Sequence, residues 1–129
     1  KEVCSKEDLI VIVKEQVNLE NQLSLKANKF LLLDTNIITT INWSITHLDG
    51  YCDPWIIKQA EFLKYDHYLI TNIDIPWVKD DLRDRPNERE HMLSSLINEH
   101  DIRGLRYSII SGDKPKRLDK AIEIINNIL

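Results

Sequence analysis

Glycine is scarce in this chain, with Gly50, Gly104 and Gly112 the only three in 129 residues. None belongs to a Gly-x-x-x-x-Gly-Lys-[Ser/Thr] array, whose backbone N–H groups wrap phosphates while its lysine neutralises their charge. Cysteine is scarcer still. Cys4 and Cys52 stand far apart, which argues against a Cys-x-x-Cys zinc site and against a disulfide framework. Reduced thiols in a cytoplasmic protein are the expectation. His47, His67, His91 and His100 lack metal-ligand spacing such as His-Glu-x-x-His. No apolar run approaches the ~18 residues needed to cross a membrane, and no signal-peptide pattern is visible. The formal net charge of -4 argues against a general electrostatic grip on nucleic acid.

What remains is an ordinary globular composition, 43% hydrophobic and 29% charged. The length suits one domain with a real core rather than two. The chain opens on Lys1, and it is expected to be part of a longer one.

Ser5-Lys6-Glu7-Asp8 is a capping-box pattern. Leu9, Ile10, Val13 and Val17 behind it recur at helical spacing, so a helix is predicted over about 6–27. A second helix is predicted from Ile37 to about His47, stopped by Asp49-Gly50. Asp53-Pro54 places an N-cap before a proline at the first helical position and opens a third, to about Lys64. His67–Thr71 reads as an apolar strand, and residues 73–87 as a long, charged, proline-containing loop of the kind that forms active-site lids. A helix starting near Asn87-Glu88 carries Met92, Leu93, Leu96 and Ile97 on one face, with Gly104 just past its end. Arg106–Ile110 reads as another strand. Asp113 can cap a last helix with Leu118, Ala121, Ile122, Ile125 and Leu129 on one side.

The stretch from 30 to 46 proposes a place for chemistry. Phe30-Leu31-Leu32-Leu33 runs into Asp34, and a short all-apolar run of this kind reads as a strand buried on both faces of a parallel sheet. A carboxylate at its end stands at the carboxyl edge, where open α/β folds bind ligands. Three strands alternating with helices imply an α/β fold with a parallel sheet and right-handed crossovers.

Leu32-Leu33-Asp34-Thr35-Asn36 resembles the opening of PIN-domain ribonucleases, which hold a divalent Mg²⁺ or Mn²⁺ ion with three or four acids. The later acids, Glu61, Asp101 and Asp113, do not fall into such a set in the sequence. A second resemblance covers nearly the whole chain. Gln16 and Glu20 match a Gln-x-x-x-Glu helix, and Asp34-Thr35-Asn36-Ile37-Ile38-Thr39-Thr40 followed by Trp43-Ser44 is similar to an Asp-Thr-Asp-x-x-Thr-Thr-x-x-Trp-Ser motif. Tyr65–Ile70, Asp74–Val78, Asp80–Asp84 and Tyr107–Gly112, with Arg117 beyond, follow in order. Together they resemble the ribosylnicotinamide kinase domain of NadR-type proteins. The sequence departs from that pattern at Asn36, Ile41 and Asp81, where the family usually has an acid, a lysine and a glycine.

The resemblance implies a P-loop NTPase-like parallel sheet with flanking helices, and transfer of the γ-phosphate of ATP to a ribose hydroxyl, such as that of nicotinamide riboside, in NAD salvage. Such transfer relies on positioning and charge neutralisation. Asp34 is then the Walker-B-like acid that holds Mg²⁺, and Arg83 the lid arginine that grips phosphate oxygens, both with catalytic roles. Arg83, Arg89, Ser111 and Gly112 fall at positions that contact ATP, with Ser111-Gly112-Asp113 as the loop holding the adenine. Asn36, Trp43 and Trp77 fall at substrate-binding positions.

In the resembled family the glycine-lysine loop and its strand precede the segment matched here. The chain is accordingly expected to be the C-terminal part of a kinase domain whose P-loop comes from the same parent chain. By itself it is expected to be inactive and to bind ATP poorly. The P-loop strand would sit between strands 30–34 and 66–71, which should then lie roughly 10 Å apart, two ladder spacings, or have the gap filled by another segment. A degenerate P-loop-like module that only binds a partner is the non-catalytic alternative.

Overall fold

The computed structural model of the chain describes residues 4–75 and 88–129. It divides into two compact units, Lys1–Lys64 and Tyr65–Leu129.

The first unit is helical among its described residues: α1 (Lys6–Lys26), α2 (Ile37–His47) and α3 (Pro54–Phe62). Each start has a physical cause. Ser5 Oγ accepts from the Asp8 N–H at 3.1 Å while the Asp8 carboxylate accepts from the Ser5 N–H at 3.0 Å, so the two orphan donors are satisfied reciprocally. Asn36 Oδ1 accepts from the Ile38 N–H at 2.8 Å and starts α2. Asp53 Oδ1 accepts from the Trp55 N–H at 2.8 Å ahead of Pro54. Asp49 and Gly50, at φ 51° and 83°, turn the chain out of α2 through the left-handed region.

The core of this unit is Leu9 and Val13 of α1, Ile37, Ile38 and Ile41 of α2, and Ile56 of α3, all buried. Ser44 lies among them with no exposure. Its hydroxyl donates to the Tyr51 carbonyl at 2.6 Å and so ties α2 to the α2–α3 turn. Cations brace the exterior, with Lys6 Nζ 4.0 Å from the Tyr51 ring centroid and Lys14 Nζ 5.6 Å from that of Trp55.

The strand expected over 30–34 does not form. Phe30, Leu31 and Leu32 are exposed, and the segment has no ladder hydrogen bonds. An apolar run becomes a strand only where a neighbouring strand takes up its N–H and C=O groups, and none among the described residues does so.

The second unit is a β–α–β unit with a final helix: β1 (Tyr68–Thr71), α4 (Arg89–Asp101), β2 (Tyr107–Ile110) and α5 (Lys114–Ile128). β1 pairs in parallel with β2, Tyr68 opposite Tyr107 and Thr71 opposite Ile110. The parallel pair predicted from alternating strands and helices is thus present, as two strands among the described residues instead of three. α4 begins at Glu88 without a side-chain cap, unlike the capping pattern expected there. His100 at the far end of α4 packs edge-on to Tyr68, ring centroids 4.7 Å apart, and tilts against Tyr107 at 5.6 Å. Among the described residues of this unit, Tyr68, Ile70 and Ile110 are the buried apolar ones. α5 buries none of its residues, and Leu118 and Leu129 are each 61% exposed.

Candidate functional site

Parallel strands end side by side, so whatever follows β1 and whatever follows β2 must meet at one edge. Here those segments are residues 72–75 and 111–113. The ladder continues one step past β1, with the Asn72 N–H donating to the Ile110 carbonyl at 2.9 Å. Asn72 Nδ2 then donates to Ser111 Oγ at 3.0 Å.

Gly112 is held from both sides. Its N–H donates to Asp74 Oδ2 at 2.6 Å, and its carbonyl accepts from Arg117 Nε at 2.7 Å. Arg117 Nη2 closes the ring on Asp74 Oδ1 at 2.5 Å and also donates to the Asn72 carbonyl at 3.1 Å. The Gly112 N–H holds the Asp74 carboxyl below its usual range; burial, the next largest influence, opposes it, and the Arg117 guanidinium adds to the lowering. Gly112 has φ 94°, and a Cβ there would lie 3.0 Å from Lys116 Cβ, so the position requires glycine.

Asp113 caps α5, its Oδ1 accepting from the Lys116 N–H at 3.1 Å. Arg89 at the start of α4 reaches back, Nη2 donating to the carbonyls of Ile73 and Ile75 at 2.9 and 2.6 Å. Asp74, Ile75, Gly112, Asp113 and Lys114 line a recess of about 450 Å³.

The predicted site residues fall in three places. Arg89, Ser111 and Gly112 are brought to this edge, joined by Asp74 and Arg117. Asp34, Asn36 and Trp43 belong to the first unit. There Asp34 is exposed, just before Thr35 at φ 65°, and no hydrogen bond or ion pair holds its carboxylate among the described residues. Asn36 spends its carbonyl oxygen on the α2 cap, and the Trp43 ring stacks on His47 of the next turn at 4.2 Å. Trp77 and Arg83 lie outside the described residues, as does all of the predicted lid beyond Ile75 up to 87.

No three His, Cys, Asp or Glu side chains converge on a possible metal position among the described residues, so the acid set of a PIN-type nuclease is not assembled there. Asp101 instead accepts from the Tyr107 hydroxyl at 2.8 Å, and Asp113 is a cap. A lone exposed carboxylate such as Asp34 fits a Mg²⁺ that arrives on phosphates and keeps much of its water. The sequence reading missed the roles of Asp74 and Arg117. The available signal was their position, each a few residues past a strand that the fold makes neighbours.

A parallel strand pair with a glycine turn leading into a helix at its carboxyl edge is an α/β arrangement, and open α/β sheets bind ligands at that edge. A family model described as an AAA domain matches residues 1–117, and the chain belongs to that P-loop NTPase-like family. A search of curated proteins finds no match. No helix among the described residues is long and apolar enough to cross a membrane.

Proposed function

We propose that this chain is part of an ATP-dependent nucleoside kinase that transfers phosphate to a ribose hydroxyl, with nicotinamide riboside as the leading substrate in a cytoplasmic NAD salvage reaction. The observation that carries this reading is the 111–113 loop, pinned at the carboxyl edge of a parallel strand pair beside an open recess, in a chain of the AAA-domain family. Membership of that family supports nucleotide binding. The order of motifs from Gln16 to Arg117 supports the narrower nucleoside-kinase assignment.

In this scheme Ser111, Gly112 and Arg89 form or brace the part of the site that takes the base of ATP. Arg83 binds phosphate oxygens from the lid, and Asn36, Trp43 and Trp77 face the nucleoside. Asp34 would hold Mg²⁺, which when bound supplies neutralisation of phosphate charge. The chain's own contribution is to bind, orient and exclude water. The glycine-lysine loop would come from an N-terminal segment of the same parent chain.

The test uses the full-length protein with labelled ATP, Mg²⁺ and a panel of nucleosides. Transfer of the γ-phosphate to a nucleoside, strongly reduced in Asp34→Asn and Arg83→Ala, is the expected result. ATP binding without transfer to any nucleoside would favour a non-catalytic module. Mn²⁺-dependent RNA cleavage abolished by Asp34→Asn would replace this reading with the nuclease.

A further inference from the structure

α5 carries an apolar stripe that its own unit leaves open. Leu118, Ile122, Ile125 and Leu129 follow one another at intervals of four, three and four residues, the spacing of a coiled-coil seam. Leu118 and Leu129 are 61% exposed and Ile122 47%. The half-buried residues of α5 are Arg117, Ala121, Ile124 and Ile125, on the side that packs against β2. At ~100° per residue the stripe is centred about a quarter-turn from that side, so packing on the sheet does not cover it.

The chemistry of α5 selects an occupant. The stripe is narrow, about one side chain per turn, and α5 has no aromatic residue. A helix lying in a lipid surface presents a broad apolar face, often with Trp or Phe, whereas a narrow seam fits another helix. The charges are uneven along the axis. Lys114, Lys116, Arg117 and Lys120 outnumber Asp119 in the first half, and Glu123 is the only charged residue from 121 to 129. The macrodipole adds positive charge to the first end and negative charge to the second. Two copies set parallel would place basic end on basic end. Set antiparallel, each basic end meets the weakly acidic end of the other, so α5 is complementary to itself.

We propose that α5 is a self-association surface through which two copies of this chain pair antiparallel, about a two-fold axis between Ile122 and Ile125. Leu118 of each copy then lies opposite Leu129 of the other, and Ile122 opposite Ile125, with the exposed Asp119 beside the exposed Asn126 at the solvent flank. The inference does not depend on the nucleotide-binding reading. α5 is already folded against β2, so pairing does not have to order a helix. The seam is short, and four side chains per copy bury well under the ~1,200 Å² of a standard interface. The pairing is therefore weak and reversible, with a Kd on the order of 100 µM.

Sedimentation equilibrium of the full-length protein, from about 5 to 500 µM, reads the pairing against this expected Kd. A monomer–dimer equilibrium is the expected result. Leu118→Glu and Ile122→Glu should each weaken it at least about tenfold, by placing a charge in the seam. Their thermal melts should match the parent protein's, because both positions are exposed. Asn126→Lys, set against Asp119 of the other copy, should tighten the dimer about twofold, and Asn126→Asp should loosen it by a similar factor. Asn126 is exposed and polar, so its variants keep the test decisive if Ile122→Glu does not fold. A monomer at every concentration, or a dimer indifferent to all four variants, overturns the proposal. Equal loosening by both Asn126 variants overturns the antiparallel pairing. Co-sedimentation of a monomeric protein with phosphatidylcholine–phosphatidylserine vesicles, lost in Ile122→Glu, would replace the second copy with a lipid surface.

Discussion

Asp74 and Arg117, 43 residues apart in the chain, meet at 2.5 Å across the ends of two parallel strands and hold Gly112 between them. The pair is partly exposed, Arg117 less than Asp74. An isolated ion pair with such exposure contributes little to stability. Its effect here is local, because each partner also binds the backbone of the same glycine. The Asp74 carboxyl titrates below its usual value, so this contribution is present above the ordinary carboxylate pKa and is lost only as acid protonates the folded form.

Amide exchange reads this arrangement directly. The Gly112 N–H should be protected in the native protein and exchange markedly faster in Asp74→Ala, with core amides such as Ile70 and Ile110 unchanged. Equal exchange rates at Gly112 in the two proteins would show that the Asp74 bond does not persist in solution.

Gly112→Ala should destabilise the second unit by about 1–2 kcal/mol from backbone conformation alone, the left-handed region being costly for a residue with a Cβ. Crowding of the new methyl group against Lys116 adds to this. Urea denaturation checks the value. Gly104→Ala shares the positive φ but meets nothing within 4 Å, so it should cost less.

His100 predicts an acid-sensitive second unit. The ring is 3% exposed, packed between Tyr68 and Tyr107, and Nδ1 faces the Leu96 carbonyl at 2.8 Å. Desolvation, joined by the Arg103 charge, lowers its pKa; the Leu96 bond and the charges of Asp101 and Glu99 oppose this. The unfolded chain then binds a proton that the folded chain resists, so stability falls as pH drops below the ordinary histidine value of about 6.5 and levels off below the folded pKa. Denaturant midpoints between pH 7.5 and 5 should show this slope. His100→Phe should flatten it, and an unchanged slope in that variant would place its origin elsewhere.

Ser44→Ala tests the first unit. Removing the buried hydroxyl leaves the Tyr51 carbonyl without its 2.6 Å donor. Such a loss costs about 1–3 kcal/mol where the orphaned group is shielded from water. Chemical denaturation of Ser44→Ala against Ser44→Cys separates the missing bond from the missing volume.

The helices were legible because their signals are local. Ser5 with Asp8, Asp53 with Pro54, and Asp113 each cap within a few residues, so a short window of sequence contains the whole interaction. The strand at 30–34 was not legible, because its apolar content says only that the segment could be covered. Whether it pairs depends on a neighbour that the run itself does not contain. For the candidate site, Ser111 and Gly112 were visible as a turn before a helix cap, and Gly112 as one of few glycines. Asp74 and Arg117 carried no such mark, one reading as lid entry and the other as a position beyond the final loop.

The amino-acid order alone determined five helix starts near their observed places, two of the three expected β-strands in a parallel α/β arrangement, and membership of a P-loop NTPase-like family. These follow from caps, periodicity and turn residues, all of which act over a few positions. Only the tertiary structure decided that Asp74 and Arg117 share one glycine, that His100 is buried between two tyrosines, and that Phe30–Leu32 stays exposed. Each of those depends on groups distant in sequence or on a partner strand, and short-range chemistry has no means of specifying either.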